Sequence, residues 1–146
     1  MSETGFALDP RLEADWLTVG EFPLSRLMIK RDCRLPWFIL VPRRAGAVEI
    51  HRLNAEDQQQ LFSETMQVAG MIEATFSCDK LNIGALGNIV SQLHMHLVAR
   101  RVGDFAWPGA VWGVGAAEPW QPDALEATLA RVRSALPALT APTPHG

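Results

Sequence analysis

Cysteine is scarce in this 146-residue chain. Cys33 and Cys78 stand far apart with no CxxC spacing, too few for the disulfide framework that small secreted folds use in place of a core. Both are expected to be reduced, and the compartment to be cytoplasmic. There is no excess of basic residues either. Thirteen Lys and Arg against sixteen Asp and Glu leave a net charge of -3, with no long cationic run. That balance disfavours nonspecific nucleic-acid binding, so no stable nucleic-acid partner is expected, although a local basic pocket is not excluded. Long apolar runs are missing as well. The longest strongly apolar stretch, Trp37 to Val41, falls far short of the roughly twenty residues a membrane-spanning helix needs. The start carries acids at Glu3 and Asp9 and lacks the basic and apolar regions of an export signal, and no repeat or low-complexity block follows.

What is present suits a folded domain. A hydrophobic content of 48% with 20% charged residues fits one globular unit, residues 1–146, able to bury about 68% of its unfolded surface. Asp9 and Pro10 read as the cap and first position of a short helix whose apolar stripe is Leu12, Trp16 and Leu17. Ser25–Asp32 reads as a strand with Arg26, Met28 and Lys30 on one face and Leu27 and Ile29 on the other. After a turn, Trp37–Val41 is a strand buried on both faces and ended by Pro42. Asn54 caps a long helix from Ala55 to about Phe76, with Leu61, Val68, Ile72 and Phe76 on its core side. Strands are expected over Lys80–Leu86 and Gln92–Arg100, an ordered loop over Gly103–Trp120, and a last helix from Pro122, with the tail beyond Pro137 frayed. The order implies an α+β fold with a mainly antiparallel sheet, one long helix and a C-terminal helix.

The chemistry concentrates in QLHMHLVAR. Strand alternation puts Gln92, His94, His96 and Val98 on one face and Leu93, Met95, Leu97 and Ala99 on the other. The Leu and Met set is what a helix covers, so a carboxamide and two imidazoles should face outward in a row at ~7 Å intervals. Three readings remain open. The pair can belong to an ordinary half-exposed strand. It can be part of a metal site, which needs a third donor such as His51, Cys33 or a carboxylate, and no second close-spaced donor pair exists. Or one imidazole attacks a phosphate while its neighbour supplies a hydrogen bond or proton. The preceding segment GALGNIVSQ, with Gly84, Gly87 and Asn88, favours the last, because such turns can offer backbone N–H groups to an anion.

Asn82–Arg100, NIGALGNIVSQLHMHLVAR, resembles the signature of the histidine triad (HIT) superfamily: three histidines alternating with hydrophobic residues, preceded by Gly-Gln-x-Val. Gly87 and Val90 fit directly, Asn88 takes the place of the Gln, and His94 and His96 fall on the second and third histidines. Gln92 stands where the first would be, a QxHxH variant. FILVPRR, the long helix after His51 and WPG at Trp107–Gly109 extend the resemblance over most of Leu27–Gly109.

The resemblance implies a homodimeric HIT-like fold with a nucleotide bound on the exposed sheet face. It implies a hydrolase or nucleotidyl transferase acting on a nucleoside phosphate, dinucleoside polyphosphate or phosphoramidate, without metal or cofactor. On that reading His94 attacks the α-phosphorus and His96 hydrogen-bonds the phosphoryl or leaving-group oxygen. Asn88 and the backbone N–H groups after Gly87 steady the developing charge. Gln92 keeps hydrogen bonding but cannot titrate. Asp32 is expected near the ribose, or as a turn stabiliser, and Asn82 near the nucleotide, or closing a strand end. Rival readings are a binding module that kept the pocket without turnover, and a metal-dependent enzyme. Arg43, Arg44, Arg100 and Arg101 are expected to be solvated, and Trp107, Trp112 and Trp120 to pack, whether over a base or against a partner. His51 and His145 show no recognisable partner.

Overall fold

The computed structural model describes residues 4–142, so His145 lies outside the described residues. The fold is α+β. Five strands form one antiparallel sheet in the order β1-β2-β3-β5-β4, with β1 at Trp16–Glu21, β2 at Ser25–Lys30, β3 at Trp37–Pro42, β4 at Lys80–Gly84 and β5 at Met95–Arg100. Among the described residues three α-helices accompany them, α1 (Pro10–Asp15), α2 (Ala55–Thr75) and α3 (Pro122–Ser134), with a short 3-10 turn at Ile50–Arg52. Caps start them where the sequence indicates. Asp9 accepts from the Arg11 N–H ahead of Pro10, and Asn54 accepts from the Asp57 N–H.

The period-2 pattern divides the sheet into two faces. Leu27, Ile29, Phe38, Leu40, Leu97 and Ala99 pack against Leu61, Val68 and Ile72 of α2 and Val132 of α3. The opposite face buries Trp16, Met28, Trp37, Ile39, Val41 and Val98 with Leu12 of α1 and Val111 of the long loop. All of β3 is buried, as its unbroken apolar run requires, because β3 is the middle strand and both of its faces are covered. Thus the face that carries the histidines is roofed rather than open to solvent.

Several expectations need correction. Trp16 and Leu17 belong to β1, not to the first helix. That helix stops at Asp15, and Trp16 pairs with Lys30, so a strand replaces what looked like a helical stripe. The last strand begins at Met95, not Gln92. Residues after Pro137 do not fray at once, since Thr140 and Glu21 exchange both backbone bonds at 2.9 Å. Gly20 permits that approach, because a Cβ there would lie 2.6 Å from the Thr140 carbonyl oxygen. Gly20→Ala is therefore expected to lower stability by about 1–3 kcal/mol in urea denaturation.

Three of the four arginines expected at the surface are built into ion pairs. Arg100, 1% exposed, forks onto Asp104 at 2.8 and 2.9 Å, Arg44 forks onto Asp57 at 2.7 and 3.0 Å, and buried Arg43 meets Glu21 at 3.1 Å. Only Arg101 is exposed. Sequence spacing signals none of these partners except Asp104, four residues after Arg100.

Candidate active site

His96 lies on β5, where Ile39 of β3 and Gly84 of β4 flank it, so its backbone position is fixed from both sides. His94 lies one residue before β5 and keeps the alternation, with its neighbour Leu93 in the α2-side core. The two rings converge, with centroids 4.8 Å apart instead of the ~7 Å expected along a flat strand. They are 7% and 5% exposed, in contrast to the solvated row that the alternation implies. The added cover comes from α1, Trp16 and Trp112, which no periodicity in the sequence announces.

Hydrogen bonds fix the two tautomers. His94 Nδ1 is 2.7 Å from the carbonyl oxygen of Gln92. A carbonyl only accepts, so Nδ1 carries the proton and Nε2 is left with its lone pair. His96 Nδ1 accepts from the Trp37 indole N–H at 3.0 Å, which puts the proton of the neutral ring on Nε2. The neighbouring rings are thus set in opposite senses: one free acceptor nitrogen and one donor. Burial lowers the pKa of both. For His94 it outweighs the opposing bond to Gln92 and the field of Asp9. For His96 burial, then His94, then Lys30 drive the value down to about 3, so this ring stays neutral throughout the physiological range.

Both rings line a cavity of about 380 Å³ whose walls include Trp16, Trp37, Trp112, Lys30 and the loop from Leu86 to Val90. Gly87 and Asn88 of that loop line the cavity, and Gly87 has φ +73°, a backbone conformation that favours glycine. A smaller recess of about 40 Å³ shares Leu86, Gly87 and His94 with this cavity.

The other expected site residues are placed differently. Gln92 faces the N-terminal segment: its Oε1 accepts from the Asp9 N–H and its Nε2 donates to the Ala7 carbonyl, both at 2.8 Å. It clamps the chain entering α1, which in turn roofs the cavity. Gln92→Ala is expected to cost about 1–2 kcal/mol in urea denaturation, and Gln92→His to lower stability too, because an imidazole cannot match both backbone groups.

Asp32 and Asn82 do not line the cavity. Asp32 is 2% exposed and forks with Arg34, while also accepting the Arg34 and Glu118 backbone N–H groups at 3.1 and 3.2 Å. Burial opposes its charge, but these bonds outweigh burial and hold its carboxyl below the usual carboxylate range. The residue ties β2 to the long loop. Asn82 Oδ1 accepts from Arg100 at 2.8 Å. Conversely, Trp16, Lys30 and Trp37 line the cavity although no motif in the sequence singles them out. The signal was there for Lys30, which shares the face of Met28 opposite the helix-covered Leu27 and Ile29.

Among the described residues no group of three or more His, Cys, Asp or Glu is arranged to hold a metal ion, and no helix is long and apolar enough to cross a membrane.

Fold and site together define an α+β protein that presents two imidazoles of opposite tautomer to an aromatic-walled cavity. Comparison makes this specific: the chain belongs to the HIT domain family, whose model matches residues 11–103. A histidine triad protein from Sinorhizobium meliloti 1021 is 46% identical, with 92% of this chain and 100% of that one covered and a TM-score of 0.89. One from Bradyrhizobium japonicum is 41% identical over 90% of this chain and 98% of its own, with a TM-score of 0.88. One from Marinobacter aquaeolei VT8 is 39% identical over 92% and 98%, with a TM-score of 0.89. No curated protein matches.

Proposed function

We propose that the protein is a nucleotide-binding hydrolase or nucleotidyl transferase that cleaves an α-phosphate linkage through a nucleotidyl-His94 intermediate. The observation that carries this reading is the tautomer pair: His94 with Nε2 unprotonated beside His96 with Nε2–H, at a cavity large enough for a ligand. His94 Nε2 donates its lone pair to phosphorus, and the bond from phosphorus to the leaving group breaks with its electron pair, the departing atom taking a proton from solvent water. Water then attacks phosphorus and gives up a proton to solvent, the P–N bond breaks with its pair returning to Nε2, and the neutral imidazole is regenerated. His96, held neutral, donates a hydrogen bond to the phosphoryl or leaving-group oxygen rather than acting as an imidazolium acid. Asn88 and the loop after Gly87 flank the same anion. Gln92 acts at one remove, since its backbone oxygen orients His94 while its side chain holds the N-terminal roof.

The direct test is to react the protein with an adenylyl phosphoramidate, quench in denaturant above neutral pH and look for the covalent species by mass spectrometry. The expected result is one added adenylyl group on the peptide containing His94. Its absence during measurable turnover rejects the covalent route, and binding without turnover favours a nucleotide-binding module.

A homodimer completes the reading. β4 is an edge strand, and beside it an apolar groove of about 360 Å³ is lined by Phe62, Met66 and Ile83, which are 65%, 42% and 42% exposed. An open strand edge next to exposed apolar side chains suits a second copy of the chain. Phe62→Glu is expected to halve the molar mass measured by light scattering, and an unchanged mass would place the interface elsewhere. The substrate class is nucleotide-type, without a required cofactor, and the expected setting is cytoplasmic.

A further inference from the structure

Lys30 is an expensive residue where it stands. It projects from β2 into the roofed face of the sheet, and its pKa is lowered, first by burial, against the fields of Asp15 and Asp32. Among the described residues no carboxylate lies within 4 Å of its Nζ and nothing accepts a hydrogen bond from it. Its contacts are the indole faces of Trp16 and Trp37, at 4.8 and 4.6 Å from the ring centroids. Two such faces compensate only part of what a half-buried ammonium loses on leaving water. The other cavity cation, Arg11, is already committed to Asp9 and to the Ile89 carbonyl. The Trp112 indole N–H at the same cavity is likewise buried with no hydrogen-bond partner among the described residues. Trp37 joins this cation to the reacting centre, because the indole beneath Lys30 is the one that donates to His96.

We infer that Lys30 is a specificity-determining residue which binds an anionic oxygen group, carboxylate or phosphate, carried by the substrate beyond the phosphorus that His94 attacks. The inference rests on the proposed His94 chemistry for its position in the substrate. Such an anion completes the coordination that Lys30 lacks and replaces the water it has lost. The preferred substrates are accordingly nucleotidyl compounds whose departing portion is itself negatively charged, in preference to those with a neutral leaving group.

Three adenylyl phosphoramidates that share the reacting P–N bond test this: one with a simple alkylamine, one with an amino acid and one with an aminoalkyl phosphate as leaving group. Lys30→Met, which can still fill the space between the two indoles, is expected to lower kcat/KM about tenfold or more for a charged substrate and to leave the alkylamide within about twofold. Loss confined to the amino-acid compound identifies a carboxylate, and loss confined to the aminoalkyl phosphate identifies a phosphate. Equal loss on all three, or none on any, overturns the inference.

A second measurement is independent of turnover. Malonate and pyrophosphate are titrated while indole fluorescence is followed in the wild type, His94→Ala and Lys30→Met. At least one anion should bind the first two proteins alike and Lys30→Met about tenfold or more weaker. Equal binding by all three, or by none, refutes the anion site. Absence of turnover with retained Lys30-dependent binding would instead reject the His94 chemistry and leave the anion site standing.

Discussion

His94→Ala is expected to lower kcat/KM for an adenylyl phosphoramidate by about 10⁴-fold or more while leaving the protein folded. The size follows from the proposed role: on that chemistry alanine removes the atom that forms the new bond to phosphorus, and no neighbouring group can substitute. His96 has its proton on Nε2, so its available nitrogen faces Trp37 rather than the cavity. The fold should survive because His94 precedes β5 and its ring makes one hydrogen bond, to the backbone carbonyl of half-buried Gln92. His96→Ala should cost less, about 10²–10³-fold, as the loss of one donor to a developing oxyanion. Steady-state kinetics on both variants, with circular dichroism to verify folding, separates the roles. A loss below tenfold in His94→Ala would mean that the ring is not the nucleophile, and a larger loss in His96→Ala would exchange the two assignments.

Much of this site was legible in the chain because local rules govern it. Alternation placed His94 and His96 on the face opposite Leu93 and Leu97, and Gly87 marked the turn that needs φ +73°. The long helix and the buried β3 followed from period and cap. What the sequence concealed were long-range partners. Gln92 reads as the first member of a histidine row, yet its carboxamide is spent on Ala7 and Asp9, more than eighty positions earlier. Asp32 has the residue type for a hydroxyl contact, but Arg34, two positions on, and Glu118, in a remote loop, occupy its oxygens. Trp16 matched a helical stripe because three apolar residues in a short window fit several periods. Only pairing with Lys30 settles it as a strand. The roof over the imidazoles comes from elements distant in sequence, so tautomer and burial, which decide the chemistry, were beyond local pattern.

The same roof predicts how the protein responds to acid. In the folded state burial, His94 and Lys30 hold the His96 pKa down to about 3, whereas an unfolded histidine titrates near 6.5. Between those values the unfolded chain binds a proton that the native one does not, so stability falls as pH falls, by about 1.4 kcal/mol per unit for this group. Above pH 6.5 both states are neutral and the contribution is complete. His96→Gln removes the titration while its carboxamide oxygen can still accept the Trp37 N–H. From pH 6.5 to 4.5 the wild type should therefore lose about 2–3 kcal/mol more than His96→Gln in guanidinium denaturation. Parallel profiles would show that the ring is solvated and titrates normally. The consequence for turnover is specific: His96 remains a neutral donor well below pH 6, so the acid limb of kcat/KM reports protonation of His94. Burial also lowers that ring's pKa, and the limb should lie below pH 6.5. The desolvation that weakens the fold in acid is thus also what keeps the nitrogen of the proposed nucleophile unprotonated beside a fixed donor.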